Sequence, residues 1–304
     1  MDYLNIITEI YENVQKYENK GEVATYIPEL GKVHPNKFGV CLSTVTDETF
    51  NVGDAHEKFS IQSIAKVFSL VLAYKIEGPK LWKRVGVEPS GTSFNSLVQL
   101  EYENGIPRNP FINSGAIVIC DVLASLLENP KEDLLAFIRK VSNNEQLTYS
   151  ERIVASEKAT GFKNAALINL MSSFQNITND IDLVLDLYYN LCSIKMTCKE
   201  LSSSLLFLAN NGKITQTQEE ILSKSQVKRI NAIMQTCGFY DEAGEFSYKV
   251  GLPGKSGVGG GILAILPHNY SIVVWSPKLN KKGNSYRGIN FLELFTTKTA
   301  SSVF

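Results

Sequence analysis

A serine and a lysine three positions apart, Ser63 and Lys66, interrupt the apolar run FSIQSIAKVFSL at 59–70. Residues at that spacing share one face of a helix, so a helix opening at Ser63 would let the hydroxyl and the amine meet. Ile61, Ile64, Val67, Phe68, Leu70, Val71 and Leu72 surround the pair, and a helix that is apolar on every side is a buried one. Burial disfavours the ammonium and brings a lysine toward the range where its amine accepts a proton. A serine hydroxyl becomes an effective nucleophile only with such help. The helix N-terminus adds unpaired N–H groups and a partial positive charge, which suit an oxyanion. The chemistry open to the pair is therefore acyl transfer through a serine ester. The spacing alone does not identify a site, because it recurs at Ser225 and Lys228 in SKSQVKRI, a charged stretch in which Lys228 reads as solvated. The apolar setting sets the first copy apart.

A second element, Lys255-Ser256-Gly257 in GLPGKSGVGGG at 251–261, opens a predicted strand. GKS is also the tail of a phosphate-binding loop, but that motif needs a glycine five positions before Gly254 and a helix after it. Lys249 stands there, and a strand pattern follows. The order of Ser-x-x-Lys, a helical stretch and Lys-Ser-Gly resembles the Ser-x-x-Lys and Lys-Thr-Gly elements of the serine β-lactamases and penicillin-binding proteins.

The elements that must carry these groups are legible in the patterning. LNIITEIYENV near the start has apolar residues at helical spacing. FGVCLSTVT and TFNVGD alternate, are β-branched, and read as a hairpin turning at Asp47–Glu48. From about Gln62 to Thr236 helical periodicity dominates, in segments such as SGAIVICDVLASLL and DIDLVLDLYYNLCSI. FSYKVGLP, GGGILAILP and YSIVVWSP read as three late strands broken by Gly and Pro, and GNSYRGINFLELFTTKTA as a final helix. The expectation is an α+β fold. An antiparallel sheet of about five strands comes from both chain ends (1–61 and 237–304) with flanking helices. An all-helical domain (62–236) is inserted between them, and the active site lies at the interface.

Composition narrows the function classes. The 30 basic and 31 acidic residues balance to a net charge of −1, which argues against a nucleic-acid partner. No apolar run approaches the length of a membrane span, and the acidic N-terminus lacks a signal-peptide pattern, so a cytoplasmic location is expected. Cys41, Cys120, Cys192, Cys198 and Cys237 form no C-x-x-C pair and read as free buried thiols. His34, His56 and His268 show no zinc-site spacing.

QSIAKVF resembles the Gln-Ser-Ile-x-Lys-Val-Phe of the serine-dependent glutaminases. Further ordered segments are similar to that family: TYIPEL, NPFINSGAI, SEKATGFKNAAL, LDLYYNLCSI, TCGFYD, VGLPGKSGVGGGI and WSPKLNKKGNS. The resemblance implies a β-lactamase/transpeptidase-like fold and hydrolysis of L-glutamine to glutamate and ammonia through a γ-glutamyl-serine ester, with no metal or organic cofactor. It implies Ser63 as nucleophile, Lys66 as its activating partner and Tyr240 as a second general base or acid. The N–H groups of Ser63 and Val258 would form the oxyanion hole. Tyr26, Gln62, Asn113, Glu157, Asn164 and Tyr188 would line the substrate pocket, and a homodimer or homotetramer is implied. One carboxylate suits the substrate ammonium, and Asn and Tyr donors suit its carboxylate.

Taken singly, Asn113 and Asn164 read as helix caps, Glu157 as a surface charge, Tyr188 as core and Tyr26 as a turn residue packing on the core. Two departures stand out: Ser114 in place of alanine, and GFKN where the family has Gly-Asp-Arg-Asn. Two other functions remain open at this point, a penicillin-recognising serine hydrolase and a non-catalytic amino-acid sensor. No clear Ser-x-Asn element supports the first, and the intact Ser63, Lys66 and Tyr240 argue against the second.

Overall fold

The computed structural model describes residues 1–91 and 95–304. Its main sheet has five strands: β1 (Gly39–Thr44), β2 (Thr49–Gly53), β3 (Gly254–Gly257), β4 (Gly261–Leu266) and β5 (Tyr270–Trp275). Their order is β2-β1-β5-β4-β3, antiparallel throughout. The expected α+β class, with five strands drawn from both ends of the chain, agrees with this arrangement. The hairpin turns through Asp47 at φ 67°.

Period-two alternation divides the central strands between two cores. Val40, Leu42, Ile262, Ala264, Ile272 and Val274 face the first and last helices, Tyr3–Gln15 and Tyr286–Thr299, and pack there with Ile7, Ile10, Phe291 and Phe295. Cys41, Leu263, Ile265, Val273 and Trp275 face the opposite way, into the large core shared with the helices of the middle segment. The sheet is thus covered on both sides, and β1 and β5 are buried along their whole length.

One expected strand is a helix. FSYKVGLP alternates Phe246, Tyr248 and Val250, but Ala243–Val250 is helical. Its buried residues are Ala243, Phe246 and Val250, at spacings of three and four, while Tyr248 is 90% exposed. Gly251 ends it in the left-handed conformation, at φ 68°, a standard helix stop. The third late strand is instead β3, the sequence GKSG, which has little intrinsic strand preference and is held by its ladder to β4.

A buried network fixes the helix that will carry Asn113. In Asn113–Leu126, the carboxylate of the fully buried Asp121 accepts from Arg84 Nη2 at 2.5 Å, from Asn179 N at 2.9 Å and from the Thr178 hydroxyl at 3.0 Å. Burial opposes its charge, but the hydrogen bonds from Arg84 and Asn179 prevail and hold the carboxyl below the usual range. A depressed carboxyl contributes stability above its unfolded value, about 3.9, and loses it as pH falls through the lower folded value. Asp121→Ala, which removes the Arg84 ion pair and leaves the Thr178 and Asn179 donors without their acceptor, is expected to destabilise the fold by about 3–5 kcal/mol. The check is urea unfolding at neutral pH, and the deficit relative to wild type should shrink in acid.

Candidate active site

Ser63 lies in a 3-10 turn, Gln62–Ala65, that runs directly into the helix Lys66–Glu77. With three residues per turn, positions 63 and 66 eclipse. The turn is seated on the sheet by its neighbours. Phe59 stacks on Trp275 with ring centroids 4.9 Å apart, and Trp275 Nε1 donates to the Gly259 carbonyl at 3.1 Å. The end of β3 closes on the turn main chain to main chain. A Cβ on Gly259 would lie 2.0 Å from the Ser60 carbonyl oxygen, and one on Gly257 would lie 3.3 Å from Ser63 N. No other residue type permits this approach, which brings the segment containing Val258 against the turn that holds Ser63.

The Lys66 amine is 1% exposed. It donates to the Phe111 carbonyl at 3.0 Å and to Asn113 Oδ1 at 2.8 Å. The Phe111 carbonyl is aimed by a turn in which Asn109 Oδ1 accepts from Phe111 N and Ile112 N, at 3.0 and 3.1 Å. Burial brings the Lys66 amine down to about 8, against the opposing pull of Cys192 and Glu157. Lys255 is also fully buried, donating to the carbonyls of Gly238 at 3.0 Å and Ser256 at 2.7 Å. Burial, and then the charge of Lys66, push its amine well below the ordinary lysine value.

Tyr240 stands between the two lysines. Lys255 Nζ is 4.3 Å and Lys66 Nζ 5.8 Å from the centroid of its ring. Burial raises its hydroxyl well above the usual tyrosine value, and a hydrogen bond with Ser63 offsets part of that rise. Tyr240 adopts φ 57° and Gln62 φ 48°. Such left-handed conformations are costly for residues other than glycine and persist where the surroundings over-determine them.

A cavity of about 550 Å³ opens above Ser63. Nine of the ten residues singled out from the sequence line it: Tyr26, Gln62, Ser63, Asn113, Glu157, Asn164, Tyr188, Tyr240 and Val258. Lys66 lies behind the wall, reaching it through Asn113. Asn113 and Asn164 are not caps. Ile112 is the cap of the first helix, and Asn164 is the third residue of Phe162–Ser173. Their side chains meet instead, Asn113 Nδ2 donating to Asn164 Oδ1 at 2.9 Å.

Glu157 is buried rather than solvated, so its carboxyl is raised by desolvation, countered by a hydrogen bond from Gln62 and by the charge of Lys66. Gln62 Nε2 also reaches Ser60 Oγ at 3.1 Å. Tyr26 is 55% exposed at the mouth, while its neighbours Ile27 and Leu30 take the buried positions with Val258.

The sequence reading missed part of the wall. Cys192, Asn95, Thr160 and Lys163 also line the cavity, and Phe162 stands at its mouth, 82% exposed. Only the GFKN departure pointed at the last two. Cys192 is no rival nucleophile. Burial and the nearby Glu157 push its thiol up to about 12, so it stays protonated. Lys255 was seen as part of a motif, but nothing in its local pattern indicated that it would lie under Tyr240. Among the described residues, no cluster of three or more His, Cys, Asp or Glu has a metal-binding arrangement, and no helix is long and apolar enough to cross a membrane.

Comparison with known proteins gives one family. The glutaminase family model matches residues 21–304. A glutaminase of Saccharophagus degradans is 60% identical over 100% of this chain and 99% of its own length. A glutaminase of Christiangramia forsetii is 54% identical over the whole of both chains. A solved probable glutaminase superposes with a TM-score of 0.94 at 31% identity, covering 100% of this chain and 99% of the other.

Proposed function

The chain belongs to the glutaminase family, and from that premise we propose that it hydrolyses L-glutamine to L-glutamate and ammonia through an ester on Ser63. The observation that carries this reading is the cavity itself. It joins a serine hydroxyl paired with a buried tyrosine to a wall whose one carboxylate, Glu157, is desolvated and ready for an ammonium.

Ser63 Oγ attacks the side-chain amide carbon of glutamine. Its proton passes to the Tyr240 hydroxyl oxygen in contact with it as Tyr240 gives up its own proton to the neutral Lys66 amine, which burial lowers to about 8. The oxyanion rests on the N–H groups of Ser63 and Val258. Breakage of the C–N bond with return of the proton to nitrogen releases ammonia and leaves the γ-glutamyl ester. Water then adds to the ester carbon, giving up its proton to the same groups, and the bond between that carbon and Ser63 Oγ breaks as a proton returns to the oxygen, releasing glutamate and restoring Ser63. Glu157 and Gln62 hold the α-ammonium, while Tyr26, Asn113, Asn164 and Tyr188 hold the α-carboxylate.

In this reading the site lies where the unit formed by 1–61 and 237–304, which supplies Tyr26, Tyr240 and Val258, meets the unit 62–236. The protein works in the cytoplasm as a homodimer or homotetramer, a state that light scattering would measure.

Ammonia release from glutamine and asparagine tests the reading. A cavity that grips both α-groups holds the asparagine amide about 1.5 Å short of Ser63, one C–C bond. Displacement of that size costs on the order of a hundredfold, so glutamine should be preferred in kcat/KM by at least that factor. Equal rates, or no ammonia from glutamine, would overturn it.

A further inference from the structure

Glu157 and Lys163 are the only formally charged residues among the described ones that line the cavity. They sit on consecutive helices, Glu151–Thr160 and Phe162–Ser173, joined through Gly161. Their charges are opposite, as are those of an α-amino acid. Glu157 already has a partner in Gln62. Lys163, by contrast, has no ion pair or hydrogen bond among the described residues, whereas Lys158 on the preceding helix is tied to Asp186 at 2.6 Å. The first turn of Phe162–Ser173 also lacks a side-chain cap. The positive end of that helix therefore adds to the Lys163 charge.

Neutral donors such as Asn113, Asn164 and Tyr188 can bond a carbonyl oxygen as readily as a carboxylate oxygen. They discriminate weakly between a free amino acid and one whose carboxylate is blocked as an amide. A formal charge does discriminate, because its Coulomb term exists only for the anion. We propose that Lys163 is the specificity-determining residue that selects substrates with a free α-carboxylate, and so excludes glutamine in peptide linkage through its carboxyl group. This rests on the reading of the cavity as a glutamine site. Lys163 is exposed and touches no reacting atom, so its removal acts on binding rather than on chemistry.

The test compares L-glutamine with L-glutamine α-N-methylamide, whose α-group is neutral and from which ammonia arises only at the side chain. Wild type, Lys163→Arg, Lys163→Met and Lys163→Glu are assayed on both. For glutamine, Lys163→Met is expected to raise KM about five- to tenfold with kcat within about twofold. Lys163→Arg should stay near wild type and Lys163→Glu should be weaker still. The methylamide should be a poor substrate for the wild type, and none of the three variants should change its KM by more than about twofold. An unchanged KM for glutamine in Lys163→Met, or an equal rise for both substrates, overturns the inference while leaving the glutaminase reading intact. Failure of the wild type to release ammonia from glutamine would overturn that reading and this inference together.

Discussion

Ser63→Ala is expected to lower the kcat for glutamine by roughly 10,000-fold or more while glutamine still binds. The variant removes one oxygen atom from a side chain that is already almost wholly buried. It leaves the contacts of Gln62 and Glu157 and the Lys66 bonds to Phe111 and Asn113 in place. Binding measured by calorimetry should therefore stay within a few-fold of wild type. Among the described residues, no other group near the cavity floor replaces the hydroxyl. The Cys192 thiol is held protonated, and Tyr240 is raised by burial, so its anion is disfavoured. A water molecule attacking directly would retain only what the oxyanion site and binding supply. Ammonia release by Ser63→Ala at the wild-type rate would remove Ser63 from the chemistry. An acid-quenched digest of the wild type under turnover should carry the γ-glutamyl group on the peptide containing Ser63, and a label found elsewhere would do the same.

The second large effect concerns Lys66. Lys66→Met is expected to reduce kcat by about a thousandfold, within the range for loss of a positioned acid–base group. Wild-type activity should also depend on pH in a definite direction. An amine near 8 is mostly protonated at pH 7 and mostly free at pH 9, so kcat/KM should rise through that value and then level. The stability effect runs separately. Below its folded value the buried amine must either carry an unfavourable charge or lose its proton. The drop from 10.5 to about 8 corresponds to a cost of about 3 kcal/mol at pH 7. Because the folded value lies below the unfolded one, stability rises with pH between roughly 8 and 10.5. Lys66→Met relieves that cost but gives up two hydrogen bonds, worth about 1 kcal/mol each. The difference is about 1 kcal/mol, so the melting temperature should stay within a few degrees of wild type, or slightly above it, while activity is lost. A variant that melts far below wild type, or a flat pH profile between 6 and 9, would argue against this role for Lys66.

Much of the fold was legible because its elements obey the two simple periods. β1 and β5 lie in short β-branched segments bounded by turn residues, and the first and last helices show clear amphipathic stripes. Legibility failed where a short segment satisfied both periods. Phe246, Tyr248 and Val250 alternate, yet Ala243, Phe246 and Val250 also lie on one helical face, and Gly251 decides for the helix. At β3 the reading was partial: Lys255-Ser256-Gly257 was expected to open a strand, and GKSG forms a short strand of its own whose character comes from pairing with β4.

The site divides in the same way. Ser63 and Lys66 announce themselves because two polar groups stand in an apolar run. Asn113, Glu157, Asn164 and Tyr188 do not, since each has an ordinary local role, and only the family resemblance singled them out. Lys163 was touched only as part of the GFKN departure, with no role attached, and the placement of Lys255 escaped both routes. What matters about them is set by residues distant in sequence: a cavity wall for one, the Tyr240 ring for the other.

The order of strands in the sheet has a consequence for synthesis. β1 pairs with β2 almost as soon as both emerge from the ribosome, but its other neighbour, β5, follows after Tyr270. The interval from Thr44 to Tyr270 takes roughly 10 to 45 seconds at about 5–20 residues per second. Throughout that time the buried strand Gly39–Thr44 offers a free edge. Ser63 is likewise made long before Tyr240 and Val258 arrive to complete its surroundings. A chain released early therefore carries the nucleophile without the means to use it.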